Sequence, residues 1–169
     1  GEQTLSVIIR IVDKATPVIS SGTIAAIYDG QPLSAERIAM YATATYNGAD
    51  VDGTWSWKDG KAPTNVDDNG KYTIVFTPSD TDAYHPAEKE VDVSITPCRT
   101  EPTTAALSKT TYDYDGNGKK PSATVIVNGK NLTEGEDYEI AYTNNKNAGT
   151  ATATITGKGN YGFAAVQKQ

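Results

Sequence analysis

Residues 112–162 decide the fold, and they read YDYDGNGKKPSATVIVNGKNLTEGEDYEIAYTNNKNAGTATATITGKGNYG. Short runs rich in Val, Ile, Tyr and Thr alternate there with turns rich in Gly and Asn. The first group of residues favours half-buried pleated strands, and Asn-Gly pairs favour tight turns between strands. No apolar pattern of helical period runs through the segment. The segment therefore predicts several short strands and no helix.

The composition of the whole chain favours the same all-β class. Of the 169 residues, 37% are apolar and 21% are charged, which is polar for a globular chain but far from a disordered one. The chain has 10 Tyr against 2 Phe and 1 Met, together with abundant Thr, Val and Ile. This mixture suits strands that keep one face open to water.

The charge of the chain argues against two classes of partner. The formal net charge is −6 and the pI is about 4.7, so nucleic acid and anionic lipid are repelled on average. The adjacent basic residues Lys119 and Lys120 are too few for a phosphate-binding stripe. No run of about 18 apolar residues occurs, so no membrane insertion is expected within these residues.

A proline-bearing segment divides the chain into two predicted modules. Pro97 and Pro102 interrupt strand pairing and stiffen the chain between them. We predict a first module at residues 15–97, a linker at residues 98–103 and a second module at residues 104–169. Modules of this size bury small cores, which leaves little room for a deep catalytic cleft.

The first module has turn and helix signals of its own. The pair Asn47-Gly48 closes a predicted strand that ends at Tyr46. Ser34 is a predicted N-cap for a single helical turn that continues to Ile38. We therefore expect one very short helix among the strands of this module.

Two sets of spaced blocks carry a resemblance to a known family. In the second module the blocks are YDYDG (112–116), NGKNL (128–132), GEDY (135–138) and GKGNYG (157–162). In the first module they are GTWSW (53–57), GKY (70–72) and FTPSD (76–80). Their order resembles the tandem immunoglobulin-like β repeats of bacterial cell-surface proteins of the Gram-positive, Firmicutes type.

The resemblance implies an all-β fold of two tandem immunoglobulin-like β-sandwich modules, each with about seven short strands. A β-grasp-like arrangement is the alternative for the second module. Residues 1–14 alternate polar residues with Leu5, Val7, Ile9 and Ile11. They are expected to form the last strand of a preceding repeat, or alternatively to pack on the first module.

Residues suited to covalent or acid–base catalysis are few. His85 is the only histidine, and a Ser–His or Cys–His system would have to use it. It lies in a predicted loop, and no Gly-x-Ser-x-Gly turn accompanies it. Cys98 is the only cysteine, so it cannot form an internal disulfide. We predict no catalytic residue, no cofactor and no enzymatic activity.

The best metal-site pattern comprises Asp113, Asp115 and Asn117, followed by Gly118. It matches the first half of an EF-hand calcium loop. The twelfth position, which should be Glu, is Thr124, and no helices flank the pattern. A turn between strands is therefore favoured. These three residues are weak metal candidates, and no metal is predicted.

Trp55 and Trp57 share one face of a predicted strand, because side chains two residues apart point the same way. Facing inward, the two indoles fill the core, which is the favoured interpretation. Facing outward, they form a platform on which a sugar stacks. The two tryptophans are therefore also the candidate ligand residues.

Together these observations predict a non-enzymatic repeat segment of a bacterial cell-surface or secreted protein. The segment is expected outside the cell, as a monomeric stalk or spacer in an adhesin-like or wall-associated protein. Its expected partners are the neighbouring repeats of the same chain. The alternative is a module that binds a cell-wall glycan, a host glycan or a host protein through exposed aromatic side chains.

Overall fold

A computed structural model of the chain describes residues 13–169, and these residues are almost entirely β-structure. The first part contains the strands and helices β1 (Val18–Ser21), β2 (Ile24–Ile27), α1 (Ala35–Ala39), β3 (Ala42–Tyr46), β4 (Ala49–Asp50), β5 (Gly53–Trp57), 3-10 helices at Lys58–Gly60 and Val66–Asp68, β6 (Gly70–Pro78) and β7 (Ala87–Thr96). The second part contains the strands β8 (Thr104–Leu107), β9 (Ala123–Val127), β10 (Lys130–Asn131), β11 (Tyr138–Thr143), β12 (Thr152–Gly157) and β13 (Val166–Lys168).

The all-β prediction is confirmed at the level of fold class. Residues 104–169 contain strands and no helix, whereas a β-grasp-like arrangement would need a helix across its sheet. The short helix predicted after Ser34 is present as α1, and Ser34 is its extended N-cap residue but makes no side-chain capping hydrogen bond. The strand expected over residues 1–14 lies, up to residue 12, outside the described residues.

The strands form four sheets of three or four members. Their orders are β1–β3–β4, β2–β7–β6–β5, β10–β9–β8 and β11–β12–β13. The registered strand pairs are antiparallel, and some of them are hairpins with short turns. Two of these hairpins turn at Asn-Gly pairs with left-handed φ: Asn47 (50°) with Gly48 (80°), and Asn128 (48°) with Gly129 (78°).

The described chain divides into two compact units that alternate along the sequence. Unit 1 comprises the chain up to Ile24 together with Ser34–Ala62 and Lys71–Asp92. Unit 2 comprises Ala25–Leu33, Pro63–Gly70 and Val93–Gln169. Two short segments that precede residue 97 therefore group with the C-terminal part of the chain. The contiguous boundaries at residues 98–103 stay a prediction.

The core of unit 1 is formed by alternate residues of its strands. Along β6, Ile74 and Phe76 are buried, and across the β5–β6 pair they lie opposite Trp57 and Trp55. At the start of β5, a Cβ atom added to Gly53 would collide with the Thr77 carbonyl oxygen and the Phe76 ring. Further buried residues of unit 1 are Ile19, Ile24, Ile38, Ala42, Ala44, Ala87 and Val91.

The core of unit 2 is built on the β10–β9–β8 and β11–β12–β13 sheets. Two tyrosines of β11 donate hydrogen bonds from their hydroxyl groups, one to the first residue of β9 and one to the segment that precedes β9. Tyr138 donates to the Ala123 carbonyl oxygen at 2.9 Å, and Tyr142 donates to the Pro121 carbonyl oxygen. Buried residues of unit 2 include Val93, Ile95, Cys98, Val125, Val127, Leu132, Ala153, Ile155, Tyr161 and Phe163.

Unit 1 contains an isolated parallel bridge between Ala15 and Tyr84. The Ala15 N–H donates to the Ala83 carbonyl at 2.9 Å, and the His85 N–H donates to the Ala15 carbonyl at 2.8 Å. The entering segment of the unit is thereby fixed to a segment that lies about 70 residues later.

Unit 2 contains a bridge with the same hydrogen-bond pattern, between Cys98 and Tyr161. The Cys98 N–H donates to the Asn160 carbonyl at 2.9 Å, and the Gly162 N–H donates to the Cys98 carbonyl at 2.7 Å. In both units the bridging residue of the later segment is a tyrosine, and both bridges are parallel. A third isolated parallel bridge, between Glu134 and Tyr138 in unit 2, joins residues only four positions apart.

Candidate functional site

The most unusual connection in the described chain joins the paired strands β8 and β9. Its residues, 108–122, form no regular secondary structure, whereas hairpin loops usually have two to five residues. The Ser108 N–H donates to the Ser122 carbonyl at 2.8 Å and closes the base of the loop. Loops of this length inside a compact fold are uncommon and often have a function of their own. We call residues 108–122 the long loop.

The long loop is held against the β11–β12 hairpin by backbone and side-chain contacts. The Lys119 N–H donates to the Asn145 carbonyl at 2.8 Å, and the Asn145 side-chain amide donates to the Lys119 carbonyl at 2.8 Å. The hydrogen bond from Tyr142 to Pro121 adds a third link. These links position the loop beside the hairpin.

A groove of about 520 Å³ lies between the long loop, the β11–β12 hairpin and the end of β13, entirely within unit 2. Three of its lining residues are aromatic: Tyr112, Tyr114 and Tyr142. Tyr114 is 68% exposed and Tyr112 is 37% exposed, so both rings face solvent with apolar surface. A concave surface with aromatic and polar side chains is the usual form of a ligand site.

Lysine side chains supply the charge of the groove. The Lys109 Nζ lies 4.7 Å from the centre of the Tyr112 ring, and the Lys119 Nζ lies 5.9 Å from it. Both distances are within the range of cation–π attraction. Lys146 and Lys168 also line the groove, whereas Asp113 is its one acidic side chain. The groove is therefore basic on a chain that is acidic as a whole.

Two ionisable groups at the groove have displaced pKa values. Burial raises the pKa of the Tyr142 phenol, so this group stays protonated and keeps its hydrogen bond to Pro121. The hydrogen bond from Lys119 lowers the pKa of Asp115, and the two side chains form an ion pair at 2.5 Å. The Asp115 carboxylate is therefore ionised at neutral pH and is already occupied by a cation of the protein.

The weak metal candidates lie in the long loop as a turn. The Asn117 N–H donates to the Asp115 Oδ1 at 2.9 Å, which is the geometry of an Asx turn. Asp113 lines the groove, whereas Asp115 pairs with Lys119. Within residues 13–169, no three side chains of His, Cys, Asp or Glu are grouped so as to hold a metal ion.

The two predicted ligand tryptophans differ in their exposure. Trp57 is 7% exposed, and its ring centre is 5.8 Å from that of Tyr72. Trp55 is half-buried, and its ring centre is 4.8 Å from that of Phe76. A buried Trp57 fits the favoured core-filling interpretation. A sugar platform at this strand stays a prediction. Of the two tryptophans, only Trp55 has exposed surface on which a sugar could stack.

The remaining sequence candidates are not among the residues that line the groove. His85 is about half exposed in unit 1, with its Nε2 3.9 Å from the Asp13 carboxylate. Cys98 is buried in unit 2, and its Sγ accepts a 3.8 Å contact from the Asn128 side-chain amide. The structure does not bring either residue together with the tyrosines of the long loop.

Sequence reasoning therefore missed the groove residues Tyr112, Tyr114, Tyr142, Lys109 and Lys119 as a group. The signal that could have found them was the distance between two β-type runs. Fifteen residues separate two strands that pair directly, and the loop carries two tyrosines and two of the groove lysines.

None of the helices among residues 13–169 has the length and apolar character that crossing a bilayer would require. No protein-family model matches the chain, and no curated protein and no solved structure shows significant similarity to it.

Proposed function

We propose that this chain is a non-enzymatic repeat segment of a bacterial cell-surface or secreted protein, in which it serves as a stalk or spacer. The observation that carries the proposal is the matched pair of parallel bridges, Ala15 with Tyr84 in unit 1 and Cys98 with Tyr161 in unit 2. The same device recurs in both units, as expected of tandem repeats.

The direction of these bridges suits a segment under tension. Pulling along the chain draws Cys98 towards its N-terminal side and Tyr161 towards its C-terminal side. Because the two segments are parallel, these forces slide one past the other and load both hydrogen bonds at once. The same argument applies to Ala15 and Tyr84 in unit 1.

The proposal is tested by single-molecule pulling through the two ends of the chain. We expect extension to be interrupted by force peaks, because forced unfolding depends on the unfolding barrier of each resistant unit. Ala15→Pro removes the N–H that donates to Ala83, whereas Ala15→Ser keeps it. The proline variant should lower one peak relative to the serine variant. Featureless extension, or equal peaks in the two variants, would overturn the mechanical role.

Location is tested separately. Antibodies raised against the chain should label intact cells of the source bacterium or detect the chain in the culture medium. Labelling only after cell lysis would contradict a surface or secreted location.

A second candidate function, recognition of a glycan or a host protein through exposed aromatics, is favoured by the groove. Tyr112 and Tyr114 expose their rings beside lysines and asparagines, a combination that a purely mechanical segment does not need. The two functions are compatible, because the bridges and the groove use different residues.

A further inference from the structure

We propose that the groove in unit 2 binds an acidic carbohydrate, a sugar chain that carries carboxylate groups. The inference rests on the second candidate function and adds the chemical class of the ligand. It does not depend on the spacer role. The long loop, the exposed tyrosines and the excess of lysines carry it together.

The tyrosines supply the apolar part of the site. Tyr114 is 68% exposed and belongs to a loop whose base and far side are fixed by hydrogen bonds. Its ring is therefore presented to solvent on a positioned segment, and Tyr112 lies two residues away on the same loop. The flat C–H face of a sugar ring packs on an aromatic ring of this kind, which costs little conformational entropy because Tyr has few rotatable bonds.

The asparagines supply hydrogen-bonding groups of both kinds. Asn144 and Asn147 are exposed residues of the β11–β12 hairpin that line the groove, and Thr150 adds a hydroxyl. A side-chain amide offers two donors and an acceptor, and a hydroxyl offers one donor and two acceptor lone pairs. Sugar hydroxyls also donate and accept, so they can pair with both groups.

The lysines decide the charge of the ligand. Four lysine side chains and the Asp113 side chain line the groove, and Lys119 is paired with Asp115, so the local charge is 4 − 2 = +2, whereas the whole chain has a net charge of −6. The Lys109 Nζ lies over the Tyr112 ring, 4.7 Å from its centre, so a cation covers that face of the ring. A sugar stacked on the open ring of Tyr114, with a carboxylate turned towards Lys109, would use both groups. Charge-assisted hydrogen bonds of this kind are stronger than neutral ones.

A long polyanion is a poorer match for this groove. Nucleic acid carries one charge for every phosphate and would run from the groove onto a surface whose average charge is negative. A short acidic oligosaccharide places fewer charges within reach of the lysines and leaves neutral hydroxyls for the amides. The groove therefore favours the carbohydrate.

The test is a calorimetric or NMR titration of the full chain with trigalacturonate and with its methyl ester. The two probes share sugar rings and linkages and differ only at their carboxyl groups, which are ionised in the acid and neutral methyl esters in the other probe. We expect binding of the acid, weaker binding of the ester, and a loss of affinity for the acid as salt is raised. Oligosaccharides that carry glucuronate or sialic acid extend the panel of carboxylated sugars.

Matched variants locate the site. Tyr114→Ala should weaken binding of the acid about tenfold, the size expected for the loss of one aromatic stacking contact. Lys109→Gln should weaken binding of the acid and leave binding of the ester unchanged. The control variants Tyr46→Ala and Lys71→Gln change exposed residues of unit 1 and should leave the affinity unchanged. Thermal melts should be the same for Tyr114→Ala and the unaltered chain, because this ring is mostly in solvent.

Three outcomes would overturn the inference. Equal affinity for the acid and the ester would remove the acidic ligand class and leave glycan recognition standing. No binding of any carboxylated sugar in the panel would contradict both the acidic ligand class and glycan recognition by the groove. Binding of single-stranded DNA or an acidic peptide through Tyr114, without sugar binding, would assign the groove to another class of partner.

Discussion

Trp55 and Trp57 lie on the same face of β5 and yet contribute differently to unit 1. Their shared orientation follows from the two-residue period of a strand. Their burial differs although each lies opposite a buried residue: Trp57 pairs with Ile74 and packs on Tyr72, whereas Trp55 pairs with Phe76 and stays half-buried. The period of the strand was readable in the sequence, but the difference in burial was not.

Replacing Trp57 should therefore cost more stability than replacing Trp55. We expect Trp57→Ala to lower the free energy of unfolding by about 3–5 kcal/mol, as removal of a large buried aromatic does. Trp55→Ala should cost less, because part of that indole already contacts water. Urea unfolding of each variant measures both values. Equal losses would contradict the difference in burial.

Gly53 is needed for a steric reason. A Cβ there would meet the Thr77 carbonyl oxygen and the Phe76 ring, both of which are held by the β5–β6 pairing. Gly53→Ala should lower the free energy of unfolding by about 1–3 kcal/mol, the usual range for overpacking. Gly22→Ala is the matched control, since no atom lies within 4 Å of a Cβ there, and it should change stability by less than about 1 kcal/mol. A control as damaging as the Gly53 variant would show that the contact is not the cause.

At the scale of elements, the turn that precedes β6 has a built-in dependence on pH. The N–H groups of Asn65 and Thr64 donate to the Asp68 carboxylate at 2.7 and 2.9 Å, and they lower its pKa. Because the folded pKa lies below the unfolded value of about 3.9, ionised Asp68 adds stability above that pH. This stability is lost as the pH falls through the folded pKa.

Asp68→Asn should therefore reduce stability at pH 7 and remove part of the loss of stability below about pH 4. Urea unfolding at several pH values gives both quantities. Asp67→Asn changes the exposed neighbouring carboxylate and serves as the control. The assignment fails if the two variants have the same pH profile.

Local signals predicted the individual elements well. Two residues within one turn predicted α1. Ser34 lies at its N-terminal boundary, and Ile38 is the buried apolar residue inside it. The turn pairs Asn47-Gly48 and Asn128-Gly129 adopt the left-handed φ values that such pairs favour. In each case a few adjacent residues contain the whole signal.

The groove could not be predicted in the same way, because it depends on contacts between distant residues. Tyr142 reaches Pro121, and Asn145 reaches Lys119. No local pattern encodes these pairs. The exposed rings of Tyr112 and Tyr114 line a groove only because the β11–β12 hairpin lies beside them.

At the scale of the whole molecule, the strands β2, β6 and β7 contribute to both compact units, and β7 is divided most evenly between them. The first part of β7, Ala87–Asp92, belongs to unit 1, whereas Val93–Thr96 belongs to unit 2. Unit 2 also includes Ala25–Leu33 and Pro63–Gly70, which the sequence assigns to the first module. Within unit 2, the Val66 N–H donates to the Asn160 Oδ1 at 2.8 Å, and the rings of Tyr28 and Tyr161 are 5.5 Å apart.

A fragment that ends at Pro97 should therefore be less stable than the full chain. It keeps Tyr28 and Val66 but loses their partners Tyr161 and Asn160. Tryptophan fluorescence during urea unfolding reports on Trp55 and Trp57 in both proteins, and we expect a lower midpoint for the fragment. Identical midpoints would instead favour two independent modules divided at residues 98–103.

The hydrogen-bonded base of the long loop affects how the sequence of such a protein can evolve. Ser108 and Ser122, which close the base by a hydrogen bond, do not line the groove, and of the residues paired between β8 and β9 only Leu107 lines it. Substitutions or insertions between residues 109 and 118 therefore alter the groove while the sheets stay paired. Duplicated copies in one long polypeptide would thus be free to diverge in what they recognise while they continue to share the same framework.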